Sequence, residues 1–191
     1  MKEQQKKYEL TDEFIEHWSG KKLYRIKALV SFGVVVAGQL GGFIESEKNL
    51  DQSLSGNAWV SGDARVYGDA RVSGDAEVYG NAEVSGDAWV YGNAEVYGNA
   101  WVYGDARVRS HAVIFEHKMI FWASNVGSEN GTLTVFNGKD GLIVTRGCFT
   151  GTVDEFLAKS AEVHDDKTKN EYKLLIEVAK SRILGVKDER N

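Results

Sequence analysis

Proline is absent from this 191-residue chain, cysteine occurs once, and no long apolar run is found anywhere in it. A lone Cys148 closes no internal disulfide and supplies no multi-cysteine metal site, which agrees with a reducing compartment. The charged start MKEQQKKYEL has no apolar stretch behind it, so neither a signal peptide nor a membrane span is expected, and the expected location is cytoplasmic. Basic residues do not predominate either. With 23 Lys and Arg against 28 Asp and Glu the formal net charge is −5, which argues against general binding to duplex nucleic acid and leaves room only for a local basic patch. Because proline is missing, the turns must rest on positive backbone φ, and 21 glycines are present to supply it. A composition 42% hydrophobic and 27% charged is enough to bury a core in one or two domains.

What the sequence has in excess is repetition. From Leu54 to about Val113 it reads LSGNAW, VSGDAR, VYGDAR, VSGDAE, VYGNAE, VSGDAW, VYGNAE, VYGNAW, VYGDAR and a degenerate VRSHAV. Every unit is aliphatic, Ser or Tyr, Gly, Asp or Asn, Ala, variable, and a period of this kind decides the fold class. In Asp69-Ala70-Arg71-Val72-Ser73, alternation sends Ala and Val to one side and the other three residues to the opposite side, the pattern of a short strand. The glycine at each boundary tolerates a left-handed conformation and lets the chain turn, while the adjoining Asp or Asn can bond local backbone. One hexad is then one side of a coil, with Val60, Val66, Val72, Val78, Val84, Val90, Val96 and Val102 inward. A meander of hairpins is the competing arrangement, but it does not require near-identical spacing throughout. On the solenoid reading Val84→Asp should be severe and the outward Glu83→Gln mild.

Val-Tyr-Gly-Asp-Ala-Arg fits a pattern of aliphatic, small, two free positions, small, free, and over about a third of its length the chain resembles the hexapeptide-repeat proteins. That resemblance implies a left-handed triangular prism with three hexads per coil, and a homotrimer. With LYRIKALVSF, AGQLGGFIESEKNL and RGCFTGTVDEF included, the layout resembles hexapeptide-repeat proteins carried by bacteriophages and prophages, for which the expected location is the host cytoplasm. It implies no particular activity.

Outside the clear repeats, aliphatics keep the six-residue spacing through Val108, Ile114, Ile120 and Val126, although Lys118 takes an inward small position; the prism is expected to continue with an irregularity there. Upstream, Leu23 to Val30 alternates like a strand and Ala37 to Gly42 forms a turn into Phe43-Ile44, an N-terminal cap needed to cover an open coil end. Downstream, Thr132 to Phe136 and Leu142 to Thr145 read as strands around the turn Asn137 to Gly141. Thr152-Val153-Asp154-Glu155 has capping-box spacing, and Tyr172, Leu175, Ile176, Ala179 and Ile183 form a helical stripe ending at Gly185. The fold class expected is mainly β, a left-handed parallel β-helix with an N-terminal β cap and a C-terminal β-plus-two-helix element. Its division is 1–50 for the cap, 51–130 for the β-helix and 131–191 for the C-terminal strands and helices.

Three hexads per coil stack residues about 18 apart at roughly 4.8 Å. One face is acidic and aromatic, carrying Trp59, Glu77 and Glu95. A second is mixed, with Arg65, Glu83 and Trp101. The third combines arginine with aromatics: Arg71, then Trp89 and Tyr91, then Arg107 and Arg109. Stacked Glu77 and Glu95 repel unless compensated, by arginines of a neighbouring protomer or simply by solvent. Outward Trp59, Trp89 and Trp101 point to burial in an oligomer. Asp51, Asp69, Asp87 and Asp105 share one column, where turn chemistry is favoured over a calcium site because Asp and Asn interchange on the other faces.

The histidines offer little catalytic promise. Many hexapeptide-repeat relatives are acyltransferases with a histidine base between protomers, but His111, His117 and His164 lack a matching motif, and His17 is no better placed. His164-Asp165 is expected to face water, and Cys148 beside Phe149 to pack. No Ser-His-Asp order, phosphate loop or metal-ligand cluster appears. The function expected is a noncatalytic oligomeric binding module, a homotrimer sequestering a small anionic nucleotide, such as a defence signal, in grooves between protomers. Arg71, Trp89, Arg107 and Arg109 are its ligand-binding residues, since arginine forks onto phosphate and aromatic rings stack on bases. No catalytic residue, cofactor, metal or membrane partner is assigned. A structural or interaction module and an acyltransferase remain the alternatives.

Overall fold

The computed structural model describes residues 5–185. Between two corners a hexad has room for one pleat. In the described residues β4 (Trp59–Val60) through β13 (Val113–Ile114) are ten two-residue strands, each the variable residue and the aliphatic after it. Backbone pairing reaches further than these strands: the amides of Asp63, Arg65 and Tyr67 donate to the carbonyls of Gly80, Ala82 and Val84 in the next coil at 2.9, 2.9 and 3.0 Å. Pairing is parallel on three sides. One side is β3 (Leu40–Ile44), β5 (Arg65–Val66), β8 (Glu83–Val84) and β11 (Trp101–Val102). The second is β4, β7 (Glu77–Val78), β10 (Glu95–Val96) and β13, and the third is β6 (Arg71–Val72), β9 (Trp89–Val90) and β12 (Arg107–Val108). The chain is a parallel β-solenoid of stacked coils.

Its interior is made of valine and alanine. All eight valines expected inward are at most 1% exposed, as are the alanines between them, so each valine contributes on the order of 1.5–3 kcal/mol of burial. Glycine holds the corners for two reasons at once. Gly86 has φ +67, and a Cβ there would lie 2.9 Å from the Gly104 nitrogen of the next coil. Where the repeat degenerates, Ser110 occupies the corner with φ 63, a left-handed conformation that costs a side-chain-bearing residue roughly 1–2 kcal/mol.

The chain itself closes both ends. β1 (Tyr8–Glu16) and β2 (Lys22–Ala28) form an antiparallel hairpin that continues onto β3, so this cap extends one side of the solenoid. Lys7 is fully buried below the first coil, where its ammonium donates to the carbonyls of Gly56 and Ala58 at 3.3 and 3.1 Å and lies 4.8 Å from the Phe32 ring centre. Burial lowers its pKa, opposed by Asp51 and Asp75. The Tyr8 hydroxyl reaches the Leu50 carbonyl at 2.7 Å. At the other end β14 (Ile120–Val126), β15 (Gly131–Gly138), β16 (Gly141–Arg146) and β17 (Phe149–Thr152) form an antiparallel sheet. Arg107 N donates to Thr134 Oγ1, Thr145 Oγ1 to the Arg107 carbonyl, and Asn137 Nδ2 to the Val113 carbonyl, at 2.8–3.1 Å, which satisfies groups that a further coil would have paired.

Phe136 joins the solenoid core, while Leu133, Val135 and Val144 pack with two helices, α1 (Val153–Val163) and α2 (Asp166–Leu184). The capping box at Thr152 and Glu155 forms, and Tyr172, Ile176, Ala179 and Ile183 are the buried stripe of α2, which Gly185 ends at φ 77.

Two expectations of register fail. Phe43 pairs with Arg65 and Leu50 bridges Val72, an offset of 22 residues, where 18 separates Arg65 from Glu83. The additional residues loop out around Ser53 to Ser55, and Asp51 is therefore displaced from the column of Asp69, Asp87 and Asp105. The parallel ladder also does not continue past Ile114. Lys118, expected inward, is exposed in a 3-10 turn over His117–Met119, and β14 pairs antiparallel with β15 instead. A charged side chain at a buried position would have been left unpaired, so the chain leaves the coil where lysine appears.

Val84→Asp should lower stability by roughly 4 kcal/mol or more in urea unfolding, because it places an unpaired charge in the column of valines. Gly86→Ala should cost about 2 kcal/mol through its positive φ and the facing backbone, whereas Ser110→Gly, at the corner that stacks on Gly92, should gain roughly 0.5–1 kcal/mol. Equal effects for the two corner substitutions would contradict this account of the turns.

Candidate functional site

Each solenoid side carries one column of outward side chains, and the three columns differ in chemistry. On the β6-β9-β12 side, pairing puts Arg71 and Arg107 in direct register with Trp89 from opposite neighbouring strands. Their guanidinium carbons lie 5.5 and 5.3 Å from the centre of the Trp89 ring, which is sandwiched between two cations. All three are exposed, Trp89 at 41%. Among the described residues neither Arg71 nor Arg107 forms an ion pair: Asp69 is held by Lys48 at 2.8 Å, and Asp105 accepts from the Ser124 hydroxyl at 2.8 Å. Arg109 departs from the group. It lies over Tyr91, 5.7 Å from the ring centre, and its Nη2 donates to the Phe149 carbonyl, which ties it to the C-terminal sheet. Of the four residues predicted, three are brought together and the fourth is held by its neighbours.

On the β4-β7-β10-β13 side the column is acidic. Glu77 and Glu95 are in direct register, both exposed, and neither forms an ion pair among the described residues. Asp75 accepts from Asn57 N and Nδ2 at 3.0 and 2.8 Å. Beside the glutamates, Tyr79 and Tyr97 stack with ring centres 4.8 Å apart, and the phenol of Tyr79 is pushed up to about 12, chiefly by desolvation and then by Glu95. A groove of about 560 Å³ runs along this side between Val34, Trp59 and the carboxylates of Asp75, Glu77 and Glu95. Trp59 itself is only 5% exposed, so it is not an outward interface residue. The N-terminal cap covers it with Phe32, 5.5 Å between ring centres, and with the edge of Tyr8 at 6.3 Å.

The β3-β5-β8-β11 side also departs from its simple outward pattern. Glu83 is 9% exposed rather than solvated, because the turn after β1 folds over it. There His17, buried, places Nε2 3.6 Å from Glu83 Oε1 while its Nδ1 meets the Ser19 hydroxyl at 2.7 Å. The Tyr67 hydroxyl donates to the same Glu83 oxygen, and its ring centre lies 4.5 Å from that of His17. Desolvation first and the bond to Glu83 second push the Tyr67 phenol up to about 12. This cluster was missed from sequence, since His17 lies far outside the repeats and carries no periodic signal. Glu83→Gln is accordingly not the mild change that an outward position implied.

The remaining candidates are engaged locally or isolated. His111 is exposed, and His117 packs on Trp101 with ring centres 4.8 Å apart. His164 ends α1 and faces Tyr172 at 5.5 Å, whereas Asp165 caps α2 by accepting from Thr168 N at 2.8 Å, which holds its carboxyl below the usual range. Cys148 does not pack on a strand: it is exposed in the turn between β16 and β17, after Gly147 at φ 56. Among the described residues no group of three or more His, Cys, Asp or Glu side chains is placed to hold a metal ion, and no helix is long and apolar enough to cross a membrane.

The raised phenols fix the sign of an alkaline effect. A group that holds its proton more tightly when folded contributes fully below its ordinary pKa, here 10.0, and loses that contribution as pH rises towards its folded value of about 12. The urea midpoint should therefore fall as pH rises from 10 towards 12, and Tyr67→Phe should make the fall shallower. An unchanged slope in the variant would contradict the burial assigned to this phenol.

Comparison with known families agrees with this architecture. A family described as YdcK Beta solenoid repeat matches residues 64–78 and 88–104, which lie within the ladder from β5 to β11. A comparison with the curated proteins finds no match. Over its regular coils, then, the chain is similar to the YdcK solenoid repeats, and its fold is a β-solenoid related to theirs.

Proposed function

We propose that the protein is a noncatalytic interaction module, a β-solenoid that associates with copies of itself as a homotrimer. The observation that carries this reading is the pair of unneutralised columns on neighbouring sides: Arg71 and Arg107 around Trp89 on one, Glu77 and Glu95 on the other. Both columns share the inter-coil spacing, so the two arginines, two rungs apart on either side of Trp89, bracket the two glutamates, one rung apart, of the facing protomer. Such a contact is heterologous, and three copies close it into a ring. Trp89 would be its aromatic anchor and the charges would set register and partner. The hexapeptide-repeat resemblance supports the trimer and a left-handed coil, while the exit from the ladder after Ile114 moves the start of the C-terminal cap to well before residue 131. It also supports action in the cytoplasm, that of the host if the protein is phage-encoded.

Light scattering at micromolar concentration should return a trimer that weakens between low and high salt. Arg71→Glu with Arg107→Glu should dissociate it, and adding Glu77→Arg with Glu95→Arg in the same chain should restore it. A stable monomer of the wild type would overturn the proposal.

A second reading, sequestration of a small anionic nucleotide, is favoured by one observation: the Arg71 and Arg107 guanidiniums have no carboxylate partner among the described residues. Since both faces of Trp89 are already covered by those cations, the ligand would be held through its phosphate rather than by stacking of its base. Calorimetry with cyclic and linear nucleotides should then show binding that Arg107→Ala lowers about tenfold with the oligomer intact. No binding to any member of the panel would remove this reading.

A further inference from the structure

The N-terminal hairpin and the last coils meet over the β3-β5-β8-β11 side in a pocket that neither reading above uses. The turn after β1 holds Trp18 out at 86% exposure, and Trp101 at 45% and Tyr103 at 49% stand opposite on and just after β11. With Tyr67, Ser85 and Glu83 these residues line a pocket of about 300 Å³. Four of its six lining residues are aromatic, and Glu83 is the one charged residue among them. Glu83 is largely buried, its side chain 11% exposed, and its Oε1 takes the Tyr67 hydroxyl. Oε2 accepts no hydrogen bond from any described residue. Two further nitrogen groups face Glu83, the His17 imidazole with Nε2 3.6 Å from Oε1 and the Arg65 guanidinium beside it in the ladder. Neither lines the pocket, and Arg65 makes no ion pair among the described residues.

We infer that this pocket binds an alkylammonium group, presented by a small molecule or by a methylated amine. Aromatic faces attract a weakly hydrated organic cation through the ring quadrupole, and the attraction grows where water is excluded. The Glu83 carboxylate adds the counter-charge and disfavours anions, so the chemistry of this side is opposite to that of the Arg71 and Arg107 column. Tyr67, Trp101 and Tyr103 sit on or next to ladder strands, which reduces the ordering needed on binding. Trp18 supplies the outer wall, and the cage exists only because the N-terminal hairpin folds back across coils that lie far along the chain.

The probe is choline chloride, compared with its uncharged isostere in which carbon replaces the nitrogen, followed by tryptophan fluorescence and calorimetry. Choline should give saturable binding below about 10 mM, and the isostere should bind about tenfold more weakly. Trp18→Ala, at a site too exposed to disturb folding, should weaken choline binding at least about fivefold, as should Trp101→Ala. Glu83→Gln should erase the preference for choline over the isostere. Absence of saturable choline binding, equal affinity for the two probes, or unchanged affinity in Trp18→Ala would each overturn the inference; should Glu83→Gln unfold, the two tryptophan variants decide it.

Discussion

Each coil donates its amide hydrogens to the carbonyls of the next, as Asp63, Arg65 and Tyr67 do to Gly80, Ala82 and Val84, and this ladder sets every other distance in the solenoid. Strands paired in register are about 4.8 Å apart. Corners must then stack as closely as strands do, and a Cβ at Gly86 would press on the Gly104 backbone. Interior positions stack as well, which is why valine recurs beneath valine and alanine beneath alanine, each at most 1% exposed. A repeating backbone constraint thus demands a repeating sequence.

The same ladder creates the problem that the rest of the chain solves. A parallel stack has two open ends, each with unpaired amides or carbonyls and an exposed slice of core. Here the solutions differ chemically. Below the first coil, a buried ammonium from Lys7 and the Tyr8 hydroxyl bond to carbonyls that no further coil will use. Above the last coil, side chains of an antiparallel sheet, Thr134, Asn137 and Thr145, bond to Arg107 and Val113, and the outer surface of that sheet is covered by two helices. With both ends closed, end-to-end growth is blocked and the sides are left as the surfaces available for contact.

On those sides the ladder forces like beside like or unlike beside unlike at short range, so the outward columns are electrostatic choices. Glu77 over Glu95 is unfavourable in an isolated chain. Arg71, Trp89 and Arg107 relieve the same problem internally by placing an aromatic ring between two cations. Glu83 is relieved differently, by burial against Tyr67 and His17 under the N-terminal hairpin. Three columns built from one hexad therefore present three distinct chemistries, basic-aromatic, acidic, and aromatic with a single carboxylate.

The sequence by itself determined whatever depends on counting along the chain: the solenoid, the inward valines, the pairing of Arg71, Trp89 and Arg107 within regular coils, the Thr152 capping box and the buried stripe of α2. These are local or strictly periodic, so alternation and an 18-residue step are enough to place them. Tertiary structure alone decided the first coil's offset of 22, the exit from the ladder after Ile114, and which outward residues are in fact covered. Trp59 and Glu83 have the same hexad position as Trp89 and Glu95, yet the first pair is buried and the second exposed. The difference comes from Phe32, Tyr8 and His17, residues of the cap whose arrival over the coils depends on packing between distant segments, and no period in the repeats records it.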